Sequence, residues 1–409
     1  EVKLPYGRSF LNAIIPDHFA VDIIEAPKTP PAANPKAIVC AALENLRGEL
    51  RWSDFANTRS VAIAVNDKTR PVPHHHLLPP LLERLADLGI PDTAITFYVA
   101  VGTHPPLAPD EFSAILPAEV LNRYQVVSHN SENRSLHMYL GETSRGTPVW
   151  ANKAFVHADF KIVVGNIEPH QFAGFSGGVK SAAIGLSALE TINRNHSLMT
   201  HPNSQLGAYE NNPARQDIEE IGQKIGVHLA LNAVLNQDKQ IVHALAGDPY
   251  LVVWQGVELS RQVCQVAVRQ KYRLVISSPG GHPKDINVYQ AQKGLAHAAR
   301  ITCQGGTVIL TAACPEGSGS PHYEAWMQGK HSYVEVLQCF DAEISPFHAF
   351  NCIHYSLGTG YGSRVRDLVL NRICPDGNFI KLRVPSPGGI NNKVNLAIFD
   401  HINDVGSSL

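Results

Sequence analysis

The sequence predicts an α/β fold of two α/β domains with mostly parallel sheets. Short apolar runs bounded by turn residues alternate with longer amphipathic stretches, a pattern typical of strands that alternate with helices. The chain has 409 residues, which at roughly 100–200 residues per domain allows two or three domains. Its residues are 44% hydrophobic and 17% charged, as in folded proteins with a sizeable core.

The first half of the chain is predicted to hold three buried strands and two helices. The strands are predicted at residues 60–65, 94–101 and 160–165, where apolar residues run without interruption. Helices are predicted at about 80–88 and 109–116, each with proline in its first turn, a position that proline fits. No internal repeat interrupts this order.

The second half continues the alternation and suggests a domain boundary. The pattern predicts a helix at 212–225, an extended segment at 227–235, a long helix at 249–269 and a strand–helix–strand unit at 274–277, 288–300 and 306–311. The long helix is the predicted connection between an N-terminal domain (1–268) and a C-terminal domain (269–384). The tail at about 385–409 could return to the first domain. One continuous sheet is the competing interpretation.

The charge balance and hydropathy argue against several classes of protein. The chain has 34 Lys and Arg residues against 36 Asp and Glu residues, a formal net charge of −2, and no long basic run. This balance argues against nucleic acid or an anionic membrane surface as a partner. No apolar run reaches the ~18–20 residues of a transmembrane helix, and the first residues do not resemble a signal peptide. We therefore expect a soluble, cytoplasmic protein.

The cysteines and histidines point to different conclusions. The 7 cysteines form no C-x-x-C pair, which argues against a disulfide framework and against a cysteine-rich metal site. We expect them to be small buried apolar residues. The 20 histidines favour acid–base or metal chemistry without locating it. The three histidines at 74–76 are interpreted as a solvated turn, because adjacent side chains face different ways.

Four polar loops follow predicted strands, which is where parallel α/β sheets bind ligands. The loops lie at residues 66–71, 102–105, 166–181 and 279–294. If they converge, they form one site with histidines, cations and a carboxylate. The candidate side chains in the first three loops are Asp67, Lys68, Thr69, Arg70, His104, Glu168, His170 and Lys180.

These candidates also have simpler interpretations. Asp67 and Arg70 could cap the following segment and pair locally, although an arginine at a strand-to-helix turn also suits a phosphate or carboxylate. His104 and His170, taken singly, could be loop histidines with only local partners. Their shared placement after strands favours acid–base catalysis.

The glycine-rich loop at 174–181 carries the most information. It nearly fits the P-loop pattern G-x-x-x-x-G-K-[ST], but Val179 stands where the second glycine would let the backbone wrap phosphates. A P-loop-like nucleotide- or phosphate-binding enzyme is therefore kept as an alternative. Desolvation of a lysine in this largely uncharged loop would lower its pKa, which makes Lys180 a candidate for covalent attachment.

His196 follows Lys180 by 16 residues. One continuous helix would separate the two by roughly 24 Å, too far for them to share a centre. Gly185 offers a break, after which a short helix at about 187–194 would bring His196 back to the site.

Five segments of the chain match a known family. They are DKTRP (67–71), VGTHPP (101–106), EPHQFAGFSGGVKS (168–181), NHS (195–197) and YQAQKG (289–294). In order and approximate spacing these segments resemble the nickel-dependent lactate racemases, the LarA-like 2-hydroxyacid racemases and epimerases. The most specific of them is HxFAGFSGGxK. The resemblance implies two α/β domains with the active site in the cleft between them.

The resemblance also implies a cofactor and roles for individual residues. The cofactor is a nickel-pincer nucleotide, a pyridinium-3-thioamide-5-thiocarboxylic acid mononucleotide with nickel, attached covalently to Lys180. His196 is implied as the protein ligand of nickel, and His104 and His170 as the two acid–base histidines. Cofactor contacts are implied for Asp67, Lys68, Thr69, Arg70, Gly177, Gly178 and Tyr289, and substrate contacts for Arg70, Gln290 and Lys293.

The implied reaction inverts C2 of a 2-hydroxy acid, lactate or a related short acid. Proton-coupled hydride transfer would give a 2-oxo acid intermediate, with one histidine taking the hydroxyl proton and the other returning it. The implied partners are the small-molecule substrate and the proteins that make the cofactor. A non-catalytic carrier of the nickel cofactor is the second alternative. Val179, where lactate racemases commonly have arginine, and Gln171, in place of an aromatic residue, leave the preferred acid open.

Overall fold

The structure is a computed structural model that describes residues 1–319, 380–383 and 395–400. The chain divides into two compact units. The larger unit is Lys28–Val263, and the smaller unit combines Glu1–Pro27 with Cys264–Leu409. Each unit has its own mostly parallel sheet, so the predicted α/β fold class is confirmed.

Strands and helices alternate along most of the described chain. The strands are β1 (Val2–Tyr6), β2 (Ser9–Ala13), β3 (Ala20–Glu25), β4 (Val61–Asn66), β5 (Ile95–Ala100), β6 (Gln125–Ser128), β7 (His137–Glu142), β8 (Pro148–Asn152), β9 (Phe160–Asn166), β10 (Pro169–His170), β11 (Gly174–Phe175), β12 (Leu229–Leu235), β13 (Ile241–Gly247), β14 (Tyr272–Ser277), β15 (Thr302–Leu310), β16 (Ile380–Arg383) and β17 (Asn395–Asp400). The α-helices are α1 (Pro35–Glu44), α2 (His74–Asp87), α3 (Ala118–Arg123), α4 (Lys153–His157), α5 (Lys180–Ala183), α6 (Leu189–Ser197), α7 (Pro213–Ile225), α8 (Pro249–Cys264) and α9 (Val288–Ile301).

The larger unit is built on a six-stranded sheet with the order β13-β12-β9-β4-β5-β6. β4 lies inside the sheet and pairs in parallel with β5 and β9, and the parallel arrangement continues to β6 and β12. β13 runs antiparallel to β12. Residues Val61 to Val65 of β4 are at most 2% exposed, which explains why this strand is apolar on both faces.

Helices cover both faces of this sheet. On one face, Leu77 and Leu81 of α2 share a core with Leu43 of α1 and with Ile63 and Phe97 of the sheet. On the other face, α5 contacts β4 and β9 and also packs against α7. In such a doubly wound arrangement, ligands bind beyond the carboxyl ends of the strands.

Asparagine caps begin four of the described α-helices. Backbone N–H groups in the first turns of α1, α4, α7 and α9 donate to the side chains of Asn34, Asn152, Asn212 and Asn287. Such caps satisfy donors that a helix start otherwise leaves without a partner. α7 ends at Gly226, whose φ of 74° is the left-handed conformation that favours glycine.

The predicted elements of the larger unit agree with the observed ones in type and within a few residues. β4, β5, β9, β12 and α7 all occur where the apolar pattern predicts them. The helix predicted at 109–116 is a 3-10 helix at Pro109–Ala114, and α8 ends at Cys264, before the predicted 269. Strands such as β6 and β13 are not predicted, because their sequences are short or interrupted by polar residues.

The prediction of a solvated turn at 74–76 is wrong for His74. α2 begins at His74, before the predicted start at residue 80, and Pro79 and Pro80 lie inside the helix. His74 is 2% exposed, and its Nδ1 donates to the carbonyl oxygen of Ile115 at 2.7 Å. The earlier start buries Leu77 and Leu78, and this apolar packing outweighs the local preference of proline for a first turn.

The smaller unit has a five-stranded sheet with the order β16-β15-β14-β17-β3. β14 pairs in parallel with β15 and β17, and β17 pairs in parallel with β3. The predicted domain division differs from this arrangement, because it places residues 1–27 with the N-terminal domain and allows the tail to return there. The difference arises because β3 and β17 hydrogen-bond across most of the chain length, which no local pattern reveals. Residues 320–379, within the predicted C-terminal domain, lie outside the described ranges.

The described cysteines are free thiols. Cys40, Cys264, Cys303 and Cys314 are partly buried, less than the full burial that the sequence predicts. The other three cysteines lie outside the described residues. In the same described ranges, no helix is both long enough and apolar enough to cross a membrane.

Candidate active site

Three of the four predicted loops meet at one edge of the six-stranded sheet. They follow β4, β5 and β9, which are parallel neighbours, so their carboxyl ends share that edge. Side-chain contacts join the loops: Asp67 bonds to His104, and Arg70 lies beside Glu168. The predicted convergence of these loops is therefore observed within the larger unit.

Asp67 and His104 form a hydrogen-bonded pair. Asp67 is 4% exposed, and its Oδ2 lies 2.6 Å from Nδ1 of His104. Its Oδ1 accepts the backbone N–H and the hydroxyl of Thr69, at 3.1 and 2.7 Å. Burial alone would raise the pKa of Asp67, but the hydrogen bonds from His104 and Thr69 hold it below its usual value. Because an ionised carboxylate only accepts, Nδ1 of His104 carries a proton, and Nε2 of the neutral ring keeps its lone pair.

The two basic residues of the first loop have different surroundings. Nζ of Lys68 lies 2.6 Å from Oε1 of Glu111 in an exposed ion pair. Nη1 of Arg70 lies 3.8 Å from one oxygen of Glu168, and Nζ of Lys239 lies 3.4 Å from the other. Lys239, in the β12–β13 turn, is a neighbour of the site that sequence reasoning misses.

Two asparagines, one on β12 and one on β4, hold the glycine-rich loop. Oδ1 of Asn232 accepts the backbone N–H of Gly178 at 2.7 Å, and Oδ1 of Asn66 accepts the hydroxyl of Ser181 at 2.7 Å. Sequence reasoning misses both asparagines. A sequence signal exists for Asn232, which is a polar residue inside the otherwise apolar strand LALNAVL. Because a buried amide requires hydrogen-bond partners, such a residue indicates a polar contact on that strand.

The glycines of this loop are required by close packing. Gly177 and Gly178 have φ of 87° and 55°. A Cβ on Gly177 would lie 2.5 Å from Ile167, and one on Gly178 would lie 2.5 Å from Val253. Both predicted cofactor-contact glycines therefore serve the shape of the loop that leads to Lys180.

Lys180 is the first residue of α5 and is half-buried. Its amine makes no hydrogen bond or ion pair with any residue of the described chain. Burial, together with the positive charges of Arg70 and Arg215, lowers the pKa of Lys180 to about 7, although Glu168 and Asp67 oppose this shift. An amine that is partly neutral at neutral pH can act as a nucleophile.

The backbone of the loop does not form the phosphate cradle of a P-loop. The N–H of Ser176 bonds to the carbonyl of Glu168, and that of Gly178 bonds to Asn232. Val179 is 4% exposed and packs against Gly222 of α7, where an added Cβ would lie 2.3 Å from the Val179 Cβ. Amides already bonded within the protein cannot hold a phosphate, so these contacts argue against the P-loop alternative.

Phe172 lies between two of the predicted histidines. Its ring centroid is 4.9 Å from that of His170 and 5.0 Å from that of His196, with both pairs edge-to-face. Nδ1 of His170 accepts the backbone N–H of Ala173 at 3.3 Å, so the proton of the neutral ring is on Nε2. One aromatic ring therefore brings a predicted acid–base histidine close to the predicted metal ligand.

The chain between Lys180 and His196 is not one helix. α5 ends at Ala183, α6 begins at Leu189, and the predicted breaking residue Gly185 lies between them. A Cβ on Gly185 would lie 2.3 Å from the carbonyl oxygen of Ser181, so the break has room only for glycine. The break returns the last turn of α6, which carries His196, to the site.

A buried polar chain lies behind His196. Oδ1 of Asn195 is 3.3 Å from Nδ1 of His196, and the Asn195 amide nitrogen donates to Asp217 at 2.9 Å. Asp217 also accepts the hydroxyls of Thr143 and Thr147. Because an amide oxygen only accepts, Nδ1 of His196 carries the proton in this contact.

The remaining predicted residues lie in the smaller unit, on α9. Nζ of Lys293 lies 3.0 Å from Oε1 of Gln290, and the backbone N–H of Gln290 is capped by Asn287. The side chain of Tyr289 lies outside the described part of the chain. The cofactor and substrate contacts of these three residues stay predictions.

Sequence comparisons match this chain to one family along most of its length. Residues 6–207 match the lactate racemase N-terminal domain, and residues 268–344 match the lactate racemase C-terminal domain. The lactate racemase of Thermoanaerobacterium thermosaccharolyticum is 31% identical over 342 residues, which cover 82% of this chain and 80% of the relative. The lactate racemase of Lactiplantibacillus plantarum is 31% identical over 323 residues, which cover 78% and 76%.

Comparison of structures agrees with the sequence match. The lactate racemase apoprotein from Thermoanaerobacterium thermosaccharolyticum superposes with a TM-score of 0.86 at 26% identity, and the match covers 100% of both chains. A crystal structure of a protein from Thermotoga maritima superposes with a TM-score of 0.62 at 18% identity over 91% of this chain and 90% of the other. The second similarity concerns the fold alone.

Proposed function

The chain belongs to the lactate racemase family and is a racemase, an isomerase, and on this basis we propose that it inverts C2 of a 2-hydroxy acid, lactate or a related short acid. The observation that carries the proposal is the meeting of complementary groups at one sheet edge. His104 is held by Asp67, His170 and His196 lie close together, and the Lys180 amine has no partner in the described chain.

We propose a nickel-pincer nucleotide on Lys180 as the cofactor, as the family resemblance implies. The donors present fit this group: a lysine with a pKa of about 7 suits covalent attachment, and Nε2 of His196 can supply one imidazole ligand. Within the described ranges, no three histidine, cysteine or carboxylate side chains are grouped to hold a metal ion. Nickel is therefore proposed only together with donors that the cofactor carries.

When bound, this cofactor supplies acceptance and return of hydride at C2, so that the hydroxy acid passes through a planar 2-oxo acid. His104 and His170 move the hydroxyl proton, one removing it as hydride leaves and the other returning it to oxygen on the opposite face. Asp67 orients the ring of His104 and stabilises the imidazolium that forms when Nε2 takes a proton. Inversion needs two such groups, because the two enantiomers present opposite faces.

The other binding residues are assigned by charge and position. We propose that Arg70 and Lys293 bind the substrate carboxylate, with Gln290 beside them, although Arg70 also suits a cofactor phosphate. Thr69, Gly177, Gly178 and Tyr289 are proposed to shape the cofactor site. We propose that Asp67 acts through its hydrogen bond to His104 and that Lys68 serves its surface pair with Glu111, and their cofactor contacts stay predictions.

Gln171 is proposed to influence which acid is preferred. It directly follows His170, and its amide nitrogen is buried and has no hydrogen-bond partner in the described chain. A buried unpaired donor favours a ligand that brings an acceptor. A panel that compares lactate with malate-like diacids and sugar acids therefore belongs in the test of activity.

The proposed function is tested by co-expressing the chain with the cofactor-synthesis proteins. We expect a mononucleotide adduct on the Lys180 peptide by mass spectrometry, about one nickel per chain, and racemisation of a 2-hydroxy acid. With substrate deuterated at C2, the label should be largely retained there, because hydride returns to the carbon it left.

The controls separate the alternatives. His104→Ala and His170→Ala should each abolish racemisation while the adduct on Lys180 remains. Loaded protein that exchanges hydrogen on none of the acids would be a cofactor carrier. An unmodified Lys180 despite a working pathway would contradict the cofactor assignment.

A further inference from the structure

Arg215 is a buried cation that the proposed reaction does not use. It lies in the first turn of α7 and is only 1% exposed. Its Nε and Nη2 donate to Oε1 of Glu219, one helical turn further along. A buried charge is costly unless it is paired and hydrogen-bonded, so a fully enclosed arginine calls for a specific explanation.

The guanidinium of Arg215 also holds the glycine-rich loop. Nη1 donates to the carbonyl oxygens of Phe175 and Gly177 at 3.1 and 3.3 Å, and Nη2 donates to Gly177 at 3.2 Å. Asn232 binds the same loop from its amide side. Lys180 follows three residues after Gly177, so the segment that carries its amine is fixed from two directions.

Arg215 acts on Lys180 through charge as well as through the loop. The charged groups that act on the amine are the cations Arg70 and Arg215 and the carboxylates Glu168 and Asp67. The side chain of Arg70 is 38% exposed, so water screens its charge. Arg215 is enclosed, and charges in such surroundings are screened much less.

We propose that Arg215 is a positioning residue for covalent loading of this enzyme: it holds the loop from Gly174 to Lys180, and its charge adds to burial and to Arg70 in keeping the Lys180 amine neutral and nucleophilic. The proposal rests on the proposed function for the identity of the electrophile, an activated carboxyl- or thiocarboxyl-type group of the cofactor. The reactivity of the amine belongs to the chain itself and is measurable on the full-length protein before loading.

The test is trace acetylation of the unloaded full-length chain with acetic anhydride between pH 5 and 10. The nitrogen lone pair attacks an anhydride carbonyl carbon, acetate leaves with the electron pair of the broken bond, and the amine proton passes to solvent. The rate therefore reports the neutral fraction of each lysine. Mass spectrometry follows the Lys180 peptide, with the exposed Lys36 as internal reference. We expect the midpoint for Lys180 near pH 7.

Two substitutions should move this midpoint in opposite directions. Arg215→Gln removes a positive charge and should raise the midpoint by about 1 pH unit. Glu168→Gln removes a negative charge that acts on the amine, so the midpoint should fall. Arg261→Gln is the matched control, because Arg261 lies over the Phe175 ring at 5.6 Å and is not among the charges that act on Lys180.

The outcomes separate a charge effect from a structural one. If a substitution only loosens the loop, the rate of Lys180 acetylation should change, but the pH midpoint should not shift in opposite directions in the two variants. If Arg215→Gln does not fold by circular dichroism, Arg215→Lys decides: it keeps the positive charge but lacks the planar fork that holds both carbonyls, so a midpoint near that of the wild-type chain supports the proposal and a clearly higher one overturns it. An unchanged midpoint in Arg215→Gln also overturns it. A wild-type chain that never acquires cofactor would contradict the proposed function. The midpoints would still test the role of Arg215, because they are measured on the unloaded chain.

Discussion

At the scale of single residues, the partner of each histidine decides which ring nitrogen carries the proton. The Asp67 carboxylate engages Nδ1 of His104, the Ala173 amide engages Nδ1 of His170, and the Asn195 oxygen engages Nδ1 of His196. In each neutral ring, the contact made by Nδ1 therefore fixes which nitrogen carries the proton. The motifs identify the histidines, but they do not show which group bonds to each ring. For His104, the motifs leave the role of Asp67 open.

Asp67→Asn tests the role of the carboxylate. An amide can donate to Nδ1 of His104 and thereby favour the tautomer with the proton on Nε2, which cannot accept a proton there. We expect racemisation to fall by roughly 10²–10⁴-fold, with the adduct on Lys180 retained. Turnover and the mass of the Lys180 peptide are measured on the same preparation. If the variant instead loses the adduct, while the chains that still carry it turn over at the wild-type rate, Asp67 contacts the cofactor rather than acting through His104.

At the scale of elements, α7 organises the site although it contributes no predicted catalytic residue. Its cap Asn212 donates to the carbonyl of Phe172, Arg215 holds the glycine-rich loop, and Asp217 supports Asn195. The sequence predicts this helix but not its role, because each contact joins it to a segment about 20 to 40 residues earlier in the chain.

Gly222→Ala tests the packing of α7 against the loop. The new methyl group would lie 2.3 Å from the Cβ of Val179, so the helix and the loop must separate. We expect a loss of stability of about 1–3 kcal/mol, the usual cost of overpacking, and slower acetylation of Lys180. Urea unfolding measures the stability. Gln223→Ala, on the exposed side of the same helix, is the control and should change neither quantity.

At the scale of the whole molecule, buried histidines make stability depend on pH. Burial lowers the pKa of His74 and of His129 to about 4, and both rings are held as neutral hydrogen-bonding groups. In the unfolded chain their pKa returns to about 6.5. Between these values the unfolded chain binds more protons than the folded one, so stability falls as the pH is lowered.

We expect the free energy of unfolding in urea to be lower at pH 5.0 than at pH 7.5. Each histidine contributes about 1.4 kcal/mol for every pH unit below its unfolded pKa, down to its folded pKa. His129→Gln should flatten this dependence, whereas His75→Gln, at an exposed position, should leave it unchanged. Equal stability at the two pH values would show that these histidines are not buried as neutral groups.

The sequence by itself determined the order of strands and helices, the loops of the site and the break at Gly185. These features depend on local patterns: uninterrupted apolar runs, turn residues after strands, and a glycine where the chain must turn. The tertiary structure decided what those patterns do not encode. It joined β3 to β17, paired Asp67 with His104, and placed Arg215 against the loop of Lys180.

The physical reason is the distance along the chain between interacting groups. A hydrogen bond between residues 37 positions apart leaves no periodic signal near either residue. The pKa of Lys180 depends on burial and on charges that other segments bring close, so it exists only after packing. Local chemistry therefore pointed to the candidate groups, and long-range packing decided how each of them is held and charged.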